Sequence, residues 1–119
     1  MHYLLIILVL NLLNANLLQP EDLDILSKIH VLFEWEQEPN VDEYNLQISS
    51  SNNFNELLLD TTLNNLIFID KNNLNWNNEY FWRVKPISGN WIDTNYFSIS
   101  SSILNEEAYF TTEIYDTSS

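Results

Sequence analysis

The chain predicts an all-β fold, about seven short antiparallel strands in two packed layers behind an N-terminal export segment. Three observations carry the prediction. Apolar and polar residues alternate with period two over Ile29–Glu36, Glu43–Ser49 and Tyr80–Lys85. Polar turn residues, mostly asparagine and serine, interrupt these runs about every ten residues. Outside the first sixteen residues no stretch has the 3.6-residue periodicity of a surface helix.

Taken in order, Tyr3–Leu13 (YLLIILVLNLL) is an unbroken apolar run followed by Asn14, Ala15 and Asn16. Its length suits a secretory hydrophobic region and is too short to cross a hydrocarbon core of about 30 Å as a helix. The expectation is a signal peptide over residues 1–16, cleaved near Ala15. The mature protein is then secreted, periplasmic or at the cell surface, with no stable membrane span.

The domain is expected over residues 17–100. Gln19–Ser27 opens it, with Pro20 at the start of an edge strand. Ile29–Glu36 puts Val31, Phe33 and Trp35 on one face and Leu32, Glu34 and Glu36 on the other, the pattern of a half-buried strand. Glu38-Pro39-Asn40 turns the chain. Over Glu43–Ser49, Tyr44, Leu46 and Ile48 point inward, Asn45 and Gln47 outward. Ser50–Asn53 forms a turn with Phe54 as an anchor beyond it. Leu57–Leu59 reads as a short strand ended by Asp60, Thr61 and Thr62. Leu66–Ile69 is apolar on both faces, so the pattern leaves its buried face open. Tyr80, Trp82 and Val84 face inward against Phe81, Arg83 and Lys85, with Arg83 and Lys85 expected to pair with acids such as Glu43. Ile87–Asn95 is a loop holding Gly89 and Trp91, and Tyr96–Ser100 is the last strand. The expected structural core is Trp35, Tyr44, Leu74, Tyr80, Trp82 and Val84. Residues 101–119 exceed what one sandwich needs and read as a tail, the start of a second region.

Composition excludes several functions. Four Lys and Arg against seventeen Asp and Glu give a formal charge of −13, which repels phosphate backbones and anionic membranes, so nucleic acid is not an expected partner. The absence of cysteine removes disulfides, zinc–thiolate sites and cysteine nucleophiles. With one glycine, no Gly-rich phosphate cradle is available, although asparagine can occupy left-handed turn positions in its place. No asparagine begins an N-x-[ST] acceptor. No cofactor is expected.

The stretch Leu74–Ile87 (LNWNNEYFWRVKPI) points further. Leu74 precedes Tyr80 by six residues, a spacing similar to the corner of an immunoglobulin-like sandwich, where a tyrosine hydroxyl ties the turn to nearby backbone. Over residues 19–100 the chain resembles a fibronectin type III domain. Trp35 stands where that family keeps a second-strand tryptophan, and Tyr44 opens the next strand. Leu74 and Tyr80 match the spacing of its L-x-P-x-T-x-Y corner, with Trp76 at the proline position and Asn78 at the threonine position. YFWRV at Tyr80–Val84 is similar to the YYWRV strand of exported bacterial members, as SSSNNFNELLLD is to their next segment. No RGD follows in the Ile87–Asn95 loop. The resemblance implies a seven-stranded sandwich adjoining other domains of a larger protein. Some arylsulfate sulfotransferase-like proteins begin in this way, with catalytic residues outside the part resembled.

Candidates for chemistry are few. His30 stands alone beside Lys28 with no nucleophile motif near it, so it reads as a strand-end residue. Glu34, Glu36 and Glu38 would set carboxylates about 7 Å apart along a strand, a solvated face in preference to one ion site. Glu21, Asp22, Asp24 and Asp93 lack the D-x-[DN]-x-[DN]-G pattern of a calcium loop. Trp76, Trp91 and Tyr96 are the candidate binding residues, as aromatics able to stack on a sugar or on a partner's side chains. The expected function is an exported non-catalytic module acting as spacer, docking or adhesion domain, with a protein or carbohydrate ligand. The alternatives are an accessory N-terminal domain of a larger secreted enzyme and a carbohydrate-binding module.

Overall fold

In the computed structural model, residues 15–102 are described. The expected signal peptide, except Ala15 and Asn16, and the tail beyond Ser102 lie outside the described residues. The described elements are eight strands: β1 (Leu17–Gln19), β2 (Asp24–Leu26), β3 (Val31–Trp35), β4 (Tyr44–Ser49), β5 (Leu57–Leu63), β6 (Ile67–Asp70), β7 (Asn78–Pro86) and β8 (Thr94–Ile99). They form a three-stranded sheet, β1-β3-β6, and a five-stranded sheet, β2-β8-β7-β4-β5. The all-β sandwich expected from period-two patterning is therefore present.

The strand count differs because the first strand is split. β1 pairs antiparallel with β3, the Gln19–Pro20 peptide is cis, and β2 pairs parallel with β8 in the other sheet. The crossing point is fastened from within. The Trp82 indole N–H and the Asn95 amide N–H both donate to the buried Pro20 carbonyl, each at 3.1 Å. A carbonyl with two lone pairs is satisfied there without water.

The core is aromatic. Val31, Phe33 and Trp35 meet Tyr44, Leu46, Ile48, Tyr80, Trp82, Val84, Phe97 and Ile99, and all are at most 3% exposed. Phe33 stands edge-on to Trp82 at 5.2 Å and to Phe97 at 5.8 Å, while Trp35 meets Tyr44 at 6.0 Å. Such edge-to-face pairs contribute about 0.5–1.5 kcal/mol beyond area burial. All six expected core residues are buried, Leu74 at 4% exposure from the β6–β7 connection.

Leu74 is held there by the corner. The Asn75 N–H donates to the Tyr80 hydroxyl at 2.8 Å, and that hydroxyl faces the Asn75 carbonyl at 3.4 Å. Asn77 takes a left-handed backbone, φ 61°, and its N–H donates to the Ile99 carbonyl at 2.8 Å. An asparagine supplies here what glycine supplies in richer sequences.

Two strand expectations are corrected. β5 does not stop at Asp60 but runs to Leu63, because Thr61 and Thr62 are β-branched and Asp60 accepts hydrogen bonds from its neighbour strand. The last strand starts at Thr94, two residues before Tyr96, paired with Arg83. The open question at Leu66–Ile69 is answered by burial. Leu66 and Phe68 pack against the core, while Ile67 and Ile69 are 47% and 52% exposed on the outside.

Candidate functional site

Among the described residues, the outer face of the five-stranded sheet gathers Phe54, Phe81, Trp91 and Tyr96 with Arg83 and Lys85. Strand register sets them in rows. One row reads Tyr96, Phe81, Ser49, Leu57 across β8, β7, β4 and β5; the next reads Thr94, Arg83, Gln47, Asp60. Lys85 and Asn45 continue in a third.

Arg83 is the hub. Its guanidinium carbon lies 4.0 Å from the centre of the Phe54 ring and 3.9 Å from that of Trp91. Nε and Nη2 both donate to Gln47 Oε1, at 3.0 and 2.8 Å. Gln47 Nε2 then donates to Asp60 Oδ2 at 3.2 Å, and Asn45 Nδ2 donates to Asp60 Oδ1 at 2.8 Å. A polar chain thus runs across three strands, with Gln47 as the neutral link between a cation and an anion. Burial draws the Arg83 pKa below its ordinary value, and the nearby Asp60 carboxylate opposes that shift. The expected partner was an acid such as Glu43, but Glu43 precedes β4 and Gln47 is the residue in register with Arg83.

The two rings reach Arg83 from turns. The β4–β5 turn, residues 50–56, folds back so that the Ser49 hydroxyl donates to the Glu56 carbonyl at 2.8 Å, which brings Phe54 to the sheet. Phe54 is 8% exposed and adopts φ 57°, a conformation a bulky side chain takes only under local constraint. Trp91 descends from the β7–β8 loop, and the Lys85 ammonium sits 5.2 Å from its ring centre. Each contact of this kind contributes about 0.5–2 kcal/mol, rising with desolvation.

Beside this hub Phe81 and Tyr96 face each other across β7 and β8, ring centres 5.3 Å apart. The Tyr96 hydroxyl donates to Glu79 Oε1 at 2.9 Å, and that bond is the main reason its pKa is raised. Leu23, 72% exposed with φ 68°, donates its N–H to the Tyr96 carbonyl at 2.7 Å.

Of the candidate binding residues, Trp91 and Tyr96 thus share one sheet face. Trp76 lies apart, 37% exposed in the β6–β7 connection, where its carbonyl accepts from Asn78 Nδ2 at 2.9 Å. Sequence reasoning missed Gln47 and Asp60, and placed Phe54 only as an anchor; the register that unites them follows from pairing β4 with β5 and β7, which alternation alone does not specify.

The acidic candidates stay dispersed. Asp22 Oδ1 accepts from the Tyr96 N–H and Asp93 Oδ1 from the Thr94 N–H, each at 2.8 Å. Among the described residues no group of three or more His, Asp or Glu is placed to hold a metal ion. His30 is exposed just before β3. A shallow groove of about 240 Å³ runs between Asn40–Glu43 and Pro86–Ser88.

No protein-family model matches the chain, and no curated protein sequence matches it.

Proposed function

We propose that residues 17–100 form an exported, non-catalytic, fibronectin type III-like module that docks a protein partner on the outer face of its five-stranded sheet. The family likeness is supported by the Tyr80 corner bond and by the buried Trp35 and Trp82. The observation that carries the docking reading is the preorganised Arg83 clasp, with Phe54, Trp91 and Gln47 holding the guanidinium. Tyr, Trp, Phe and Arg are the residues enriched where protein interfaces concentrate binding energy. Prior immobilisation of long side chains reduces the entropy lost on association. Two bulky residues with left-handed backbones, Phe54 and Leu23, flank the same face, and strain of this kind gathers at binding sites.

A protein partner is favoured over a sugar because one side of the Trp91 ring is taken by Arg83 and Tyr96 packs against Phe81. A stacking platform for a pyranose needs open, flat ring faces.

The test is a peptide-display selection against the full chain, with selected peptides re-measured on Trp91→Ala and Tyr96→Ala. Binding weakened at least tenfold by both substitutions supports the reading. Selected peptides indifferent to both place recognition elsewhere and overturn it. A glycan array probed with wild type and Trp91→Ala, giving a Trp91-dependent signal, would return the sugar reading to first place.

A further inference from the structure

One edge of the three-stranded sheet leaves backbone groups without a strand to pair with. Among the described residues β6 pairs with β3 alone. The Trp35 N–H donates to the Leu66 carbonyl at 3.1 Å, and the ladder continues through Glu34 opposite Ile67, Phe33 opposite Phe68 and Leu32 opposite Ile69. Hydrogen-bonded and non-hydrogen-bonded pairs alternate along an antiparallel ladder, so Leu66, Phe68 and Asp70 turn their backbone groups toward β3. Ile67 and Ile69 turn theirs to the open edge, one N–H and one C=O each. Their side chains stand on the outer face, 47% and 52% exposed, and Phe68 on the inner face is only partly buried although it packs on the core.

We propose that this edge seats a second copy of the chain, the two β6 strands pairing antiparallel about a two-fold axis through Phe68. Three features select that occupant. The first is the backbone. With Phe68 opposite its counterpart, Ile67 of each copy stands opposite the second copy's Ile69. Both outward residues then exchange an N–H and a C=O with their opposite, and the edge is satisfied by its own pattern.

The second is charge. Glu34 is the acid on this face, half-buried and in register with Ile67, one strand in from the edge. In the joined sheet the two Glu34 residues lie three strands and one row apart, about 16 Å, or twice the Debye length at physiological salt, so they do not oppose the pairing. Lys71 follows β6 at one end of the face and Glu36 follows β3 at the other, both exposed. The two-fold axis reverses one copy against the other and brings each Lys71 to the second copy's Glu36. Two strand spacings, about 10 Å between Cα atoms, separate them, within the combined reach of a lysine and a glutamate side chain.

The third is side-chain fit. Each outer row reads Leu32, Ile69, then the second copy's Ile67 and Glu34, so half-exposed isoleucines cover one another. On the inner side the two Phe68 residues form a non-hydrogen-bonded pair, where facing Cα atoms are only about 4.5 Å apart. The strip is narrow, well below the roughly 800 Å² per partner of a standard interface, so association is weak. It uses the sheet opposite the Arg83 clasp and leaves that face free.

Sedimentation of the full chain, from roughly 5 to 500 μM at about 150 mM salt, should show the mean mass climbing from one chain toward two. Lys71→Glu and Glu36→Lys should each weaken association at least threefold. An equimolar mixture of the two variants should associate at least threefold more tightly than either alone, because the exchanged charges match between unlike copies. A chain that stays monomeric throughout, or that dimerises indifferently to both substitutions, overturns the proposal. Amide exchange in the unaltered chain gives a second reading. The Ile67 and Ile69 N–H groups should exchange at least threefold more slowly at the highest concentration than at the lowest. Protection equal at both concentrations assigns the edge to another segment of the same chain and overturns the proposal independently.

Discussion

At the scale of single residues, one hydroxyl and one guanidinium carry more than their size. The Tyr80 hydroxyl meets both backbone groups of Asn75, and replacing it with hydrogen leaves the Asn75 N–H in a half-buried turn without its acceptor. Tyr80→Phe is therefore expected to lower stability by about 1–2 kcal/mol, read as a shift of the urea midpoint at constant slope. A midpoint unmoved within error would mean that the corner is held by Leu74 packing alone. Arg83→Lys makes a sharper statement about the site. Lysine keeps the charge, but a point-like ammonium cannot lie against two rings and also give two parallel bonds to one amide oxygen. A loss of about 1–2 kcal/mol with increased quenching of Trp91 by acrylamide is the expected outcome. If lysine substitutes without loss of either, charge alone is what this position supplies.

At the scale of elements, the joint between sheets rests on the Pro20 carbonyl, which accepts from a side chain in β7 and a side chain in β8. Asn95→Ala removes one of the two donors and is expected to cost about 1 kcal/mol. Trp82→Phe removes the other together with part of an indole, so it should cost more. Because both donors converge on one oxygen, the double variant should fall short of the sum, and a double-mutant cycle measures that shortfall. Strict additivity would show that the two bonds act separately. Strands of this kind were legible where one face is apolar: Val31, Phe33 and Trp35, or Tyr80, Trp82 and Val84, declare their burial by alternation. β6 was ambiguous because Ile67 and Ile69 are apolar yet outward, so alternation had no contrast to offer there. The end of β5 was misjudged because Asp60 disfavours strands in isolation, and only its two cross-strand donors, Asn45 and Gln47, make the position tolerable. The candidate site was half legible. Trp91 and Tyr96 stand out as loop and edge aromatics, but the polar chain from Arg83 to Asp60 exists only after three strands are placed in register.

At the scale of the whole molecule, charge is the dominant unbalanced quantity. Within residues 15–102 four Lys and Arg face thirteen Asp and Glu, and the most central cation, Arg83, gives its hydrogen bonds to a neutral amide. The folded state therefore confines mutually repelling carboxylates that the unfolded chain can spread apart. Raising sodium chloride from about 10 to 200 mM shortens the Debye length from roughly 30 Å to under 10 Å. If screening restores about 0.5–1 kcal/mol, the thermal midpoint of a domain this size rises by about 2–6 °C. Choline chloride at equal ionic strength must give the same rise, because screening is indifferent to the cation. A flat or falling midpoint would show that the acids are far enough apart to cost nothing. A rise obtained with micromolar calcium and not with sodium would mean instead that Glu21, Asp22, Asp24 and Asp93 gather around an ion, at odds with the separate backbone N–H groups that the Asp22 and Asp93 carboxylates accept from in β8.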